Sequence, residues 1–137
     1  MRKIEMKMNQ AIRSQENFKL DNTRVEVKTD PRSATKSKYI HVFLYDNLIA
    51  ELAEDGTEIH LSNCGYLTAA TKSRLNAICT EFAPPIRIYQ KNFEWYVITI
   101  PEYYKNEKLP TDPSGELHWN GYWLTIKADR NHFSVLI

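Results

Sequence analysis

The residue types with the clearest chemical potential lie at the start of a predicted helix capped by Thr68 or Thr71. Lys72, Arg74 and Asn76 fall in its first turns, where backbone N–H groups are free and the helix dipole favours an anion. Two cations oppose that dipole unless an anion lies between them. The sequence therefore predicts an exposed anion-binding surface, for nucleic acid or an acidic protein. The alternative is an ordinary surface turn in which both cations pair with nearby acids.

Aromatic side chains form a second candidate binding site. Tyr89, Lys91 and Trp95 surround one predicted hairpin, and Tyr103 and Tyr104 follow in a long polar loop. Aromatic residues beside a cation can stack unpaired bases, and exposed tyrosines can equally anchor a protein interface. The alternative is that these rings fill the core and the hairpin faces.

A basic segment near the N-terminus offers a third candidate. Residues 1–38 hold 10 of the 18 basic residues and 5 of the 17 acidic ones, a balance of +5 against −4 for the rest. Arg32, Lys36 and Lys38 lie in a stretch from residue 29 to 38 that has no apolar period and predicts an exposed binding loop. Such a section can contact phosphates, or it can be only a solvated surface.

Enzymatic chemistry has little support in the residue pattern. The chain lacks a phosphate-binding glycine loop, a nucleophile elbow and a paired-histidine metalloprotease helix. Cys64 and Cys79 are too few for a zinc ribbon and are interpreted as small hydrophobic residues; His41 and His60 are interpreted as ordinary strand residues. We therefore expect no enzyme, no cofactor, no metal site and no structural disulfide.

The N-terminal segment predicts an amphipathic helix that fades near Asn17. Ile4, Met8, Ala11 and Ile12 form one apolar stripe, and charged residues occupy the other faces. This stripe must be covered either by the body of the domain or by a second copy in a homodimer.

The rest of the chain has mainly β character. The middle helix buries the side chains of Leu75, Ile78, Cys79 and Phe82. Two-residue turns are expected at Asp46-Asn47 and Asn120-Gly121. The predicted strands cover residues 25–27, 39–45, 48–52, 58–61, 86–89, 94–100, 117–119, 122–126 and 133–137. The stretches 117–119 and 122–126 are expected to form a closing hairpin.

These elements predict a single α+β domain. A mainly antiparallel sheet carries one central helix, and the N-terminal amphipathic helix lies on or beside it. Residues 1–38 form the basic N-terminal helix and loop, and residues 39–137 form the sheet-helix body.

The order of several short motifs resembles a family of small tailed-phage proteins with no assigned activity. The matching pieces are residues 22–23, 48–50, 62–66, 71–77, 89–91, 95–96 and 119–121. The resemblance extends over about residues 9–126, and the threonine-lysine-x-arginine-leucine-asparagine piece is its most specific part. Where a tryptophan is usual after the glycine, this chain has Tyr66. The resemblance implies phage origin and the host-cell cytoplasm, and it supplies no catalytic residue.

Together these observations favour a non-enzymatic phage accessory protein that binds and modulates a host macromolecule, such as a defence or transcription component. The alternative is a nucleic-acid-binding accessory protein, and a small enzyme of unknown chemistry comes third. A net charge of +1 weakens general affinity for nucleic acid, which depends mostly on phosphate contacts. We therefore expect a host protein as the partner, and no membrane, since no apolar stretch approaches about 20 residues.

Overall fold

Two antiparallel sheets and two helices make up the computed structural model, which describes residues 1–100, 116–119, 122–129 and 132–137. The expected α+β class is confirmed. The elements in chain order are α1 (Lys3–Ser14), β1 (Phe18–Leu20), β2 (Thr23–Thr29), β3 (Lys38–Leu44), β4 (Asn47–Ala53), β5 (Glu58–Leu61), α2 (Ala69–Phe82), β6 (Ile86–Lys91), β7 (Glu94–Thr99), β8 (Leu117–His118), β9 (Leu124–Asp129) and β10 (His132–Leu136).

The larger sheet has seven strands in the order β1-β2-β3-β4-β5-β9-β10, and all neighbours are antiparallel. It contains the expected meander and the expected C-terminal edge strand. In β3 the side chains of Ile40, Val42 and Leu44 are buried, whereas His41 and Phe43 between them are half-buried. This alternation gives the sheet one face towards the core and one face turned outward.

The first turn of the meander lies one residue earlier than expected. Tyr45 and Asp46 occupy the two turn positions with φ values of 50° and 64°, and Asn47 already pairs with Leu44 as the first residue of β4. The pairing of β3 with β4 shifts by one residue between Val42 and Phe43, a β-bulge that sets the register next to this turn. Tyr45 is therefore held in a left-handed conformation that favours Gly or Asn.

The smaller sheet has the order β6-β7-β8. Its middle strand, β7, is the one whose sequence is apolar on both faces, and Val97 and Ile98 are both buried. The β6–β7 turn is formed by Asn92 and Phe93, again with positive φ values.

The expected closing hairpin is wrong. Strand β8 pairs with β7 in the smaller sheet, while β9 pairs with β5 and β10 in the larger one. The Asn120-Gly121 pair itself lies outside the described residues. Trp119 and Leu124 are both fully buried, so core packing separates two segments that local turn preference would join.

Both helices pack on the sheets, and α1 also contacts α2, β1 and β2. The apolar stripe of α1 is therefore covered by the body of the domain. Met8, Ala11 and Ile12 are buried, and Ile4 is half-buried. Helix α2 begins after Thr68, whose side chain accepts a hydrogen bond from the Thr71 N–H. Homodimerisation stays a prediction.

The first prediction compares two methionines of α1. Met8→Asp should lower the free energy of unfolding by about 2 kcal/mol or more, because Met8 is 0% exposed and a carboxylate there has no partner. Met6, in the same helix, is 60% exposed, so Met6→Asp should cost less than about 1 kcal/mol. Urea denaturation checks both variants, and equal losses would show that α1 does not pack as described.

Candidate functional site: a mixed-charge groove at one end of the large sheet

Arg74 is buried, which corrects the expectation that it belongs to an exposed binding surface. Arg74 is 3% exposed and Glu5 is 2% exposed, and Arg74 Nη1 lies 2.7 Å from Glu5 Oε2. Arg74 Nε also donates to Thr23 Oγ1 and Nη2 to Asn22 Oδ1, while Ser73 Oγ donates to Glu5 Oε2. Because α1 crosses the start of α2, the anion near this helix end is a glutamate of the protein itself.

Glu5 is ionised in this environment. Burial alone would raise its pKa, but the Ser73 hydroxyl, the Arg2 backbone N–H and the Arg74 guanidinium outweigh it and leave the pKa below its ordinary value. The sequence placed Glu5 on a charged outer face of the helix, and no local pattern indicated that it would be buried.

Asn76 is also structural. Its side chain donates to the backbone oxygen of Ile88 and accepts from the Ile88 N–H, so that it joins α2 to β6. Lys72 is half-buried near the surface. Of the three residues predicted at the start of α2, the structure leaves only Lys72 in a position to contact a partner.

Trp95 is buried and cannot stack on a base. Its ring contacts Trp119 in an edge-on arrangement, with ring centroids 6.1 Å apart. Strand alternation explains this outcome, because Trp95 and Val97 point into the core and Tyr96 points outward.

The outer face of the smaller sheet carries a row of rings that includes the predicted Tyr89. Tyr89, Tyr96 and His118 are paired across the three strands, with neighbouring centroids 5.7 and 5.4 Å apart; we call them the aromatic row. Lys91 Nζ lies 4.8 Å from the centre of the Tyr96 ring and 3.2 Å from Glu116 Oε1. Tyr89 and Lys91 are thus brought together as expected.

Carboxylates border the aromatic row. The Tyr89 hydroxyl donates to Glu116, and the Tyr96 hydroxyl donates to Glu94. Desolvation and this bond to Glu94 raise the pKa of Tyr96. These acids make the row a poor surface for a phosphate backbone. Tyr103 and Tyr104 lie outside the described residues, so their role stays a prediction.

Arg32, Lys36 and Lys38 are exposed and line a groove of about 1080 Å³, and we call these cations its basic rim. Acidic residues of β4, β5 and the turn between them line the same groove, and we call them its acidic rim. We call this the mixed-charge groove, and its charged residues are Arg32, Lys36, Lys38, Asp30, Glu51, Glu54, Asp55 and Glu58. The predicted basic loop therefore faces acids.

Local hydrogen bonds hold both rims in place. The Lys38 N–H donates to Glu54 Oε2, and Asp30 N–H donates to the Ser37 carbonyl at the base of the loop. On the acidic rim, the Thr57 hydroxyl and N–H donate to Asp55 and lower the pKa of its carboxyl. The Asp55 carboxyl is thus charged at neutral pH.

Tyr39 and His60 line the groove. His60 also belongs to a row of polar side chains that crosses the outer face of the large sheet. His41, Glu51, His60 and Thr125 are paired in register on β3, β4, β5 and β9. His41 Nε2 lies 2.9 Å from Glu51 Oε2, and His60 Nδ1 lies 3.0 Å from Thr125 Oγ1. Sequence reasoning missed this row, although the alternation of the meander strands was the signal that could have located it.

The part of the chain that the structure describes contains no group of three or more His, Cys, Asp or Glu side chains placed to hold a metal ion. Within the same residues, no helix is long and apolar enough to span a bilayer. Cys79 is buried, and desolvation raises the pKa of its thiol to about 12.

Fold and surface together define a small α+β protein with two antiparallel sheets and an outward sheet face that ends in a charged groove. The family model of the Kyanoviridae Gp96 protein matches residues 1–125, so the chain belongs to this family of phage proteins. Membership of a tailed-phage family is thereby confirmed, whereas the individual motifs stay predictions. Neither a curated protein nor a solved structure matches the chain.

The second prediction concerns the buried ion pair. Arg74→Ala should lower the free energy of unfolding by about 3–5 kcal/mol, because it leaves the Glu5 carboxylate buried without its cation. Lys72→Ala, two residues away, should change it by no more than about 0.5 kcal/mol. Urea denaturation measures both, and similar small losses would place Arg74 at the surface.

The third prediction is a pH dependence. The pKa of Glu5 is lowered in the folded protein, so its stabilising contribution is complete above the unfolded value near 4.5 and is lost as the pH falls through the folded value. The free energy of unfolding of the parent protein should therefore fall below pH 4.5 more steeply than that of Glu5→Gln. Parallel curves would contradict an ionised Glu5.

Proposed function

We propose that this phage protein is a non-enzymatic accessory protein that binds a host protein in the infected cell's cytoplasm through the mixed-charge groove, and modulates that protein. The observation that carries the proposal is the opposite charge of the two rims. Arg32, Lys36 and Lys38 form the basic rim, and Glu54 and Asp55 belong to the acidic rim of the same groove.

Rims of opposite sign suit a protein segment that itself carries both charges. Complementary charge across an interface steers association and rejects wrongly charged partners. A polynucleotide would meet the cations on one rim but would be repelled by the acids on the other, and phosphate contacts supply most of its affinity. The net charge of +1 is consistent with this preference.

An aromatic residue that lines the groove supports the same proposal. The ring of Tyr39, near the start of β3, is half-buried and lies beside His41, with centroids 4.9 Å apart. Tyrosines and arginines are enriched among the residues that dominate protein interfaces. Tyr39 can therefore act as an anchor, with Arg32 in the same groove.

Nucleic-acid binding is the second candidate function. The three cations of the loop and the aromatic row with Lys91 favour it. The pairing of Lys91 with Glu116 and the closeness of Glu94 to the row weigh against it.

Charge reversal on each rim separates the two functions, and this is the fourth prediction. Arg32→Glu with Lys36→Glu, and separately Glu54→Lys with Glu58→Lys, should each weaken binding of the host protein about tenfold or more, because each reversal repels one half of the partner's charge pattern. The measurement is retention of a host-lysate protein on the immobilised, nuclease-treated phage protein, followed by titration of the purified partner.

Lys19→Glu is the matched control, since Lys19 is exposed on β1 outside the groove and should leave binding unchanged. Melting temperatures establish that every variant is folded. Retention that disappears with nuclease, falls steeply with salt and is strengthened by the acidic-rim reversal would support nucleic acid and contradict the protein partner.

A further inference from the structure

A second cavity lies at the opposite end of the large sheet from the mixed-charge groove. Strand β3 runs from the basic loop at Lys38 to the turn at Tyr45, so the two sites are separated by the length of this strand. The cavity has a volume of about 290 Å³ and lies between the β3–β4 turn and the loop that leads into α2. We call it the tyrosine cavity, and Tyr45, Tyr66, Asn63, Thr68 and Thr71 are among its lining residues.

Asn63 contributes a buried hydrogen-bond donor without a partner. The residue is fully buried, and its Oδ1 accepts a hydrogen bond from the Gly65 N–H. Because an N–H group donates to this atom, it must be the amide oxygen, and the other terminal atom of the Asn63 side chain is the nitrogen Nδ2. Nδ2 has no hydrogen-bond partner. An unsatisfied buried donor is costly, so a ligand that brought an acceptor atom to it would gain correspondingly.

Both tyrosines of the cavity are exposed, and Tyr45 is held in a conformation that does not favour stability. Both rings are largely exposed, and Tyr45 has a φ of 50°, a conformation in which an aromatic residue is unfavourable and Asn or Gly is preferred. Exposed tyrosines around a concave surface are typical of interface anchors.

The polar groups of the cavity require a ligand with both hydrogen-bonding roles. Asn63 Nδ2 needs an acceptor, and the positive end of the α2 dipole, next to Thr68, also favours an oxygen atom. The hydroxyls of Thr68 and Thr71, which lie 2.9 Å apart, retain lone pairs that can accept from an N–H group. A carboxamide carries this combination of an acceptor oxygen and donor N–H groups.

The lining residues that the structure describes include no Lys, Arg, Asp or Glu, so the cavity offers a phosphate or carboxylate no counter-charge. Its volume is at the lower limit for small-molecule sites and suits a single side chain. We propose that the tyrosine cavity binds a glutamine or asparagine side chain of a protein partner, between the rings of Tyr45 and Tyr66. This site is separate from the groove and does not depend on the function proposed for it.

The fifth prediction uses single-residue probes. N-acetylglutamine amide should bind about tenfold more tightly than N-acetylhomoleucine amide, in which two methyl groups replace the side-chain amide oxygen and nitrogen. Chemical-shift titration of the folded protein measures both and should move the signals of Tyr45, Asn63 and Tyr66. Equal affinity of the two amides, or tighter binding of uridine, would overturn the proposal.

Variants provide an independent test. Tyr45→Asn should raise the melting temperature, because Asn suits the left-handed turn, and should weaken binding of N-acetylglutamine amide. Phe93→Asn is the matched control, since Phe93 is an exposed aromatic with a φ of 66° in the β6–β7 turn, so it should raise the melting temperature and leave binding unchanged.

Asn63→Asp keeps the acceptor for Gly65 and removes the Nδ2 donor, so the preference for the glutamine amide should disappear in the folded variant. Unchanged binding in Tyr45→Asn would overturn the proposal, even if Asn63→Asp does not fold. Charge reversals on the groove should leave this binding intact, so a failure of either proposal is distinguishable from a failure of the other.

Discussion

The buried ion pair between Glu5 and Arg74 is the interaction on which the arrangement of the helices depends. It joins α1 to the start of α2, and the same guanidinium reaches Thr23 at the start of β2. In a poorly hydrated site each charge would be strongly unfavourable alone, so the two helices and the strand must meet in one geometry. The two cations at the start of α2 are therefore not equivalent, because Arg74 is buried in the core whereas Lys72 lies near the surface.

The second constraint is the alternation of the large sheet. Alternate side chains of β3 and β5 are buried in the core, and β4 follows the same pattern except at a bulge where Ile49 and Ala50 are both buried. The remaining side chains of the three strands form one outer face. Across this face the antiparallel register aligns His41, Glu51 and His60 although they are far apart in the chain. The ends of the same strands carry turns and loops that line the groove and the tyrosine cavity, so the two candidate sites lie at opposite ends of one sheet.

Many of the polar residues suited to recognising a ligand already have partners within the protein. Arg24 pairs with Glu26 and Asp46, Lys91 pairs with Glu116, and Asn76 bonds the backbone of β6. The groups that remain for recognition are the exposed cations of the groove and the unpaired Nδ2 of Asn63. The basic start of α2, the most promising site in the sequence, is not among them, because Arg74 is bonded within the core.

The sequence by itself determined most of the elements and their class, because hydrophobic periods of 3.6 and 2 residues and helix caps are local properties. The amphipathic α1, the meander, α2 with a cap at Thr68 or Thr71 and the exposed basic loop all follow from such patterns, whereas β1 was not predicted. Only the tertiary structure decided which strands pair, and so separated β8 from β9 against a strong turn signal. It also decided which polar residues are buried, because the burial of Glu5, Arg74 and Trp95 depends on contacts between segments that local sequence does not encode.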